Sequence, residues 1–165
     1  MRRGARAAQY AAMAFRPGDI QIRPAEPEDL DFAWDLYRRL MKPLAEELIT
    51  WSNEGQKAVV APEILGGRAS IILLAGRHAG WCHVREGPEV VELCQLHLLP
   101  ELQNLGIGSL LLARLIENTR RRGKTLTLEV MKNNRARALY ERLGFVQTGE
   151  SDFKIEMTWR GDGPV

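Results

Sequence analysis

Gln103-Asn-Leu-Gly-Ile-Gly-Ser109 is the stretch whose residue types and spacing most clearly point to chemistry. It follows a strand-like run through Leu96-His-Leu-Leu-Pro100 and opens an apolar, helix-patterned segment. Gly106 and Gly108 remove side chains where a backbone must approach something closely. Free amides in a first helical turn, helped by the helix dipole, suit a pyrophosphate, and Ser109 adds a hydroxyl donor. The alternative is that glycine at a helix start serves packing alone. Two familiar phosphate loops do not fit. A Walker loop needs Gly-Lys-Ser/Thr, which is absent, and a dinucleotide fingerprint needs a third glycine beside the first strand of a parallel unit.

A second block stands downstream: Asn133-Asn-Arg-Ala-Arg-Ala-Leu-Tyr-Glu-Arg-Leu-Gly-Phe145. Taken with Gln103-x-x-Gly106-x-Gly108, it resembles the GNAT acetyltransferase superfamily. That family's acyl-CoA motif reads Gln/Arg-x-x-Gly-x-Gly/Ala, and its next block reads Asn-x-x-Ala-x-x-Leu-Tyr-Glu-x-x-Gly-Phe. The strong match covers roughly residues 90 to 146.

The resemblance implies acetyl-CoA as acyl-donor cosubstrate. It implies that main-chain groups of Leu96, His97 and Leu98 bond the pantetheine arm. The turn Gln103, Asn104, Leu105, Gly106, Ile107, Gly108 and Ser109 would hold the pyrophosphate. The strand carrying residues 96–98 and the strand from Thr125 to Val130 would splay to admit the cofactor. Tyr140 matches the family tyrosine that protonates the departing thiolate, as a phenol beside the sulfur can; the alternative is a half-buried helix tyrosine that only packs. Asn133 and Asn134 both remain candidates for the pantetheine, because the loop is one residue shorter than usual; an Asn there also caps helices. Glu129 matches a position used as general base, which the attack needs because an ammonium has no lone pair. Glu92 and His97 are further candidates for that role.

The implied activity is transfer of an acetyl group from acetyl-CoA to a primary amine of an unidentified small molecule or peptide, by direct attack. Neither Cys82 nor Cys94 lies in the matched motifs, which disfavours a covalent enzyme intermediate. The alternative is an inactive acyl-CoA-binding sensor or interaction module of the same fold.

These residues need elements to position them. Ile20 to Arg23 reads as a strand. Pro27-Glu-Asp29 opens a helix whose stripe is Leu30, Trp34, Tyr37, Met41, Leu44 and Leu48. Pro43 inside that stripe predicts a break or kink, with a second helix from about Leu44 and a stop at Gly66-Gly67. Ser70 to Ala75, Gly80 to Arg85 and Val90 to Leu99 read as an antiparallel meander, with Gly76 to Ala79 as its first turn. Gly106 to Arg122 reads as a helix, Thr125 to Val130 as a strand, Arg135 to Leu143 as a helix and Phe153 to Trp159 as a last strand. The fold class is single-domain mixed α/β, GNAT-like: a mostly antiparallel sheet flanked by helices. Its order is strand, two helices, three strands, helix, strand, helix, two strands. The acceptor pocket is expected from the first two helices, where Trp34, Tyr37, Met41 and Gln56 lie and Trp81 is near. Trp51 and Arg38 stand off the stripe as the better substrate contacts.

Composition sets the outer limits. The 165 residues fit one domain. Residues 1–17, with Arg2, Arg3, Arg6 and Arg16, read as a basic extension: disordered, presequence-like, or the result of a start placed ahead of Met13. Residues 18–160 read as the N-acetyltransferase domain. A net charge of +2 does not imply nucleic acid. Arg120-Arg-Arg-Gly-Lys124 reads first as cations complementing a helix C-terminus, and second as a partner for the cofactor's 3′-phosphate. Three His and two Cys are too few and too scattered for a metal site. No apolar run approaches the ~20 residues of a membrane span. A cytoplasmic monomer or homodimer is the default expectation.

Overall fold

The computed structural model describes residues 15–161. A seven-stranded sheet carries the fold, in the order β1 (Ile20–Pro24), β2 (Ala69–Leu74), β3 (Arg77–Glu86), β4 (Val90–Leu98), β5 (Thr125–Met131), β7 (Lys154–Trp159), β6 (Val146–Glu150). Only β4 and β5 run parallel, joined through helix α3 (Ile107–Arg121); every other neighbouring pair is antiparallel. The mixed, mostly antiparallel α/β fold expected from the sequence is the one observed.

Helices cover the two faces. α1 (Leu30–Ala45) and α2 (Asn53–Leu65) bury Ala33, Leu36, Tyr37, Val60 and Ile64 against Ala69, Ile71 and Trp81. On the other face α3 and α4 (Ala136–Arg142) bury Leu112 and Tyr140 against Val91, Leu93, Leu126, Leu128 and Met157. Ile107 and Leu111 of α3 extend that layer over Ile20, Ile72 and Leu74. Neighbours Ile71 and Ile72 thus serve opposite faces, as the period of a strand requires. The start of α1 is clamped by Asp29, which accepts from the Glu26 amide at 2.8 Å and from both terminal nitrogens of Arg23 at 2.8 and 2.9 Å.

Several boundaries differ from those read in the sequence. Pro43 does not break its helix: α1 continues to Ala45. Arg39, whose carbonyl loses its amide partner to the missing proline N–H, lies on the exposed side, and the buried face through Leu36, Tyr37 and Ala45 carries the helix past Pro43. The second helix starts at Asn53 rather than near Leu44, because Ser52 caps it, its Oγ accepting from the Gly55 amide at 3.1 Å. The first turn of the meander is also tighter than expected. Ala75 and Gly76 both take positive φ (49° and 76°), so β3 already begins at Arg77. Of the basic extension, residues 1–14 lie outside the described residues. Phe15 is half-buried and packs against the Ile20–Leu74 cluster. Among the described residues no helix is long and apolar enough to cross a membrane.

Candidate active site

The sheet opens between its two parallel strands. Pairing of β4 with β5 covers only Val90–Leu93 and Thr125–Leu128. Beyond them β4 stays bonded to β3 as far as Leu98, and β5 stays bonded to β7 as far as Met131. Residues 94–98 and 129–131 therefore face each other across a gap. The β3 register gives the cause: Val84 faces Leu93 and His83 faces Gln95, so Cys94 is an extra residue in β4. A bulge of this kind bends a strand and ends its pairing. Backbone polar groups along a splayed edge need partners from water or a ligand.

The glycine turn sits at the mouth of this gap. Asn104 (φ 60°) and Gly106 (φ 83°) are left-handed, and Gly106 is the N-cap of α3. No side chain caps that terminus, and the first helical bond runs from the Leu110 amide to the Gly106 carbonyl. The preceding amides of the first turn are the orphan donors of a helix N-terminus. Gln103 donates through Nε2 to the Leu98 carbonyl at 3.1 Å, tying the turn to the end of β4. A Cβ on Gly108 would meet Leu139 of α4 and Leu98 of β4 at 3.6 and 3.7 Å. Both sequence blocks therefore converge on one place. Leu98 and Ile107 are buried, whereas Leu96, Leu105 and Ser109 are half-buried.

Tyr140 is buried on the α3–α4 face, its ring edge-to-face with Phe145 at 5.7 Å. Burial pushes its phenol up to about 12, so it stays protonated at neutral pH. Among the described residues no side chain or backbone group bonds its hydroxyl. Glu129 is exposed, between buried Leu128 and Val130, and therefore points to the other face. It accepts from Lys154 Nζ at 3.0 Å. The open gap is where these two faces communicate.

His97 lies buried between Tyr37 (ring centroids 5.3 Å) and Trp81 (4.9 Å), with Nε2 on Gln95 Oε1 at 2.7 Å. Burial pushes it down to about 4, leaving it neutral at pH 7. Glu92 sits in the closed half of the β4–β5 pair, opposite Thr127, and is bound to Arg85. Asn133 donates to Leu44 O and to Glu47, and Asn134 Oδ1 accepts from the Ala136 amide at 2.9 Å. The basic run at the end of α3 is engaged locally. Arg120 and Arg121 pair with Glu117, and Arg122 and Lys124 with Glu86. Arg137 pairs with Glu141.

Trp51 does not stand apart from the α1 stripe, as its spacing suggested. Its ring stacks on Trp34 (6.5 Å) and tilts against Tyr37 (6.2 Å), with Nε1 on Asn53. Arg38 pairs with Asp35, Trp81 donates to the Ala33 carbonyl, and Tyr37 donates to Gln56. Sequence reasoning did not find Lys154 or the Leu44–Glu47 contact of Asn133, because each joins residues through tertiary register alone; it also passed over Gln95, although that residue stands two before His97 on the same strand. Among the described residues no group of three or more His, Cys, Asp or Glu side chains is placed to hold a metal ion.

Comparison with known proteins bears on this geometry. A family model described as "Acetyltransferase (GNAT) family" matches residues 30–145. A [ribosomal protein bS18]-alanine N-acetyltransferase of Haemophilus influenzae is 46% identical over 32% of this chain and 37% of its own length. A 5-NmdU N-acetyltransferase of Pseudomonas phage PaMx11 is 37% identical over 47% of this chain and 65% of its own. The chain thus matches less than two thirds of either relative. The PaiA N-acetyltransferase of Thermoplasma acidophilum, solved with coenzyme A, shares the fold at TM-score 0.61 and 21% identity, covering 85% of this chain and 99% of that one.

Proposed function

The chain belongs to the acetyltransferase (GNAT) family, and on that premise we propose that it transfers an acetyl group from acetyl-CoA to a primary amine by direct attack. The observation that carries this reading is the gap between residues 94–98 and 129–131, with an uncapped helix N-terminus at its mouth and Tyr140 packed beside it. An extended pantetheine arm bonds the free edge of β4 at Leu96, His97 and Leu98. The pyrophosphate rests on the amides of residues 104–109. Both curated relatives carry the name of N-acetyltransferases, which favours nitrogen as the acceptor.

In the reaction, a neutral amine nitrogen attacks the thioester carbonyl and forms the C–N bond. Glu129 takes the proton that the nitrogen sheds, directly or through one water. As the tetrahedral intermediate collapses, the C–S bond breaks and the sulfur leaves with its electron pair. Tyr140 hydrogen-bonds the nascent thiolate and gives it a proton. Burial suits this role: it holds the phenolic proton in place until an anion forms beside it.

Thermal shift with acetyl-CoA, followed by thiol release against a panel of small and peptide amines, tests the reading. The expected result is a shift with acetyl-CoA, turnover with some amines, and strong loss in Tyr140→Phe. Absence of any shift with acyl-CoA would sink the proposal. Binding without thiol release across a broad panel would favour an acyl-CoA sensor of the same fold.

A further inference from the structure

Asn133 occupies a position that the cofactor reading does not explain. Its Nδ2 donates twice, to the Leu44 carbonyl at 2.9 Å and to Glu47 Oε2 at 2.8 Å. The acceptors lie at the C-terminal end of α1 and just past it, 89 and 86 residues away in sequence. A flipped amide would set its oxygen against two acceptors, so the orientation is fixed by the network. The Leu44 carbonyl needs this donor: the Leu48 and Ile49 amides both bond Ala45 O instead. Asn133 therefore satisfies the C-terminal end of α1 from a segment remote in sequence. Its own Oδ1 is buried and has no partner among the described residues.

The position of this link matters as much as its chemistry. Residues 132–135 connect β5, which carries Glu129, to α4, which carries Tyr140. Residues 46–52 connect α1 to α2 and carry Trp51, stacked on Trp34. We infer that Asn133 is a positioning residue that stitches the α1–α2 loop, as the amine-side wall, to the segment bearing the acid and the base; this rests on the acetyltransferase reading above. Asn133 then spends its donors on the protein and does not bond pantetheine. Asn134 uses only its oxygen, to cap α4, and its amide nitrogen remains for the cofactor.

Asn133→Asp keeps the shape and removes both donors, setting a carboxylate against Glu47. In the full chain, hydrogen exchange of residues 46–52 should quicken. The KM for the best amine of the panel should rise roughly tenfold, the worth of a hydrogen bond to a charged group. Affinity for acetyl-CoA by calorimetry should stay within about twofold, since that side chain does not touch the cofactor. Adding Glu47→Lys should recover part of both the exchange protection and the KM by pairing with the new carboxylate, while the Leu44 carbonyl stays without its donor. Should Asn133→Asp not fold, Glu47→Ala on the exposed loop gives the same changes in smaller measure. The inference is overturned if Asn133→Asp weakens acetyl-CoA about tenfold while exchange of 46–52 and amine KM stay as in wild type. Should the wild type bind no acetyl-CoA, the acetyltransferase reading falls, and loop exchange still decides the stitch.

Discussion

Replacing Gly80 with alanine is the perturbation for which the geometry gives the clearest magnitude. A Cβ at Gly80 would lie 2.0 Å from the His97 carbonyl oxygen and 3.1 Å from Leu98 Cα, both backbone atoms of β4. Ordinary contact needs a separation above about 3.2 Å, so the strand end must retreat by roughly 1.2 Å, and close-packed interiors resist such shifts. Overpacking of this kind costs about 1–3 kcal/mol. For a chain of this length that corresponds to a fall in Tm of roughly 2–12 °C. The retreat also moves residues 97–98, where the pantetheine is proposed to bind, so acetyl-CoA affinity should drop with stability. Gly108→Ala is the internal control. There the added methyl meets Leu139 and Leu98 at 3.6 and 3.7 Å, ordinary contact, and α3 gains up to about 1 kcal/mol of helix propensity. Thermal melts of the two variants should therefore move in opposite directions, or with Gly108→Ala near wild type. A Gly80→Ala protein melting within about 1 °C of wild type would refute the close-approach argument.

Three further outcomes follow from single side chains. Tyr140→Phe keeps the ring on Phe145 and should melt near wild type, while thiol release falls roughly a hundredfold or more; unchanged turnover removes Tyr140 from the mechanism. His97 stays neutral in the fold down to about pH 4, whereas the unfolded chain binds a proton near 6.5. Stability should then decline by roughly 3 kcal/mol as pH falls through that window, and urea titrations of His97→Gln should show a flatter profile. Asp29 is held down to about 2 by its hydrogen bonds to Arg23, so its contribution of roughly 2 kcal/mol is present above pH 4 and lost as pH falls toward 2. Asp29→Asn should accordingly be less stable than wild type at pH 7 by urea unfolding, with the difference closing below pH 3.

What the sequence disclosed depended on the range of the interaction that decides each feature. The glycine turn, the α3 start and the Asn133–Phe145 block are local signals, and the structure brings them together at Gly108, Leu98 and Leu139. The gap was implied only through resemblance, because its cause, the extra Cys94 in β4, is a matter of register against β3. Pro43 misled because tertiary packing overrides local propensity: the helix buries Leu36 and Tyr37 before the proline and Ala45 after it. Ser52 before Asn53-Glu54 was a readable helix start that the apolar stripe running through Leu48 obscured. Asn133 was legible as an amide at a motif position, but its partners Leu44 and Glu47 belong to another third of the chain. No pattern in residues 130–136 announces them.

A structure of the chain with acetyl-CoA bound tests the central claim most directly. The account predicts pantetheine extended between residues 94–98 and 129–131, its pyrophosphate on the amides of 104–109, and its sulfur within hydrogen-bonding reach of the Tyr140 hydroxyl. Acetyl-CoA seated elsewhere with the β4–β5 gap empty, or with Tyr140 out of reach of the sulfur, would contradict it.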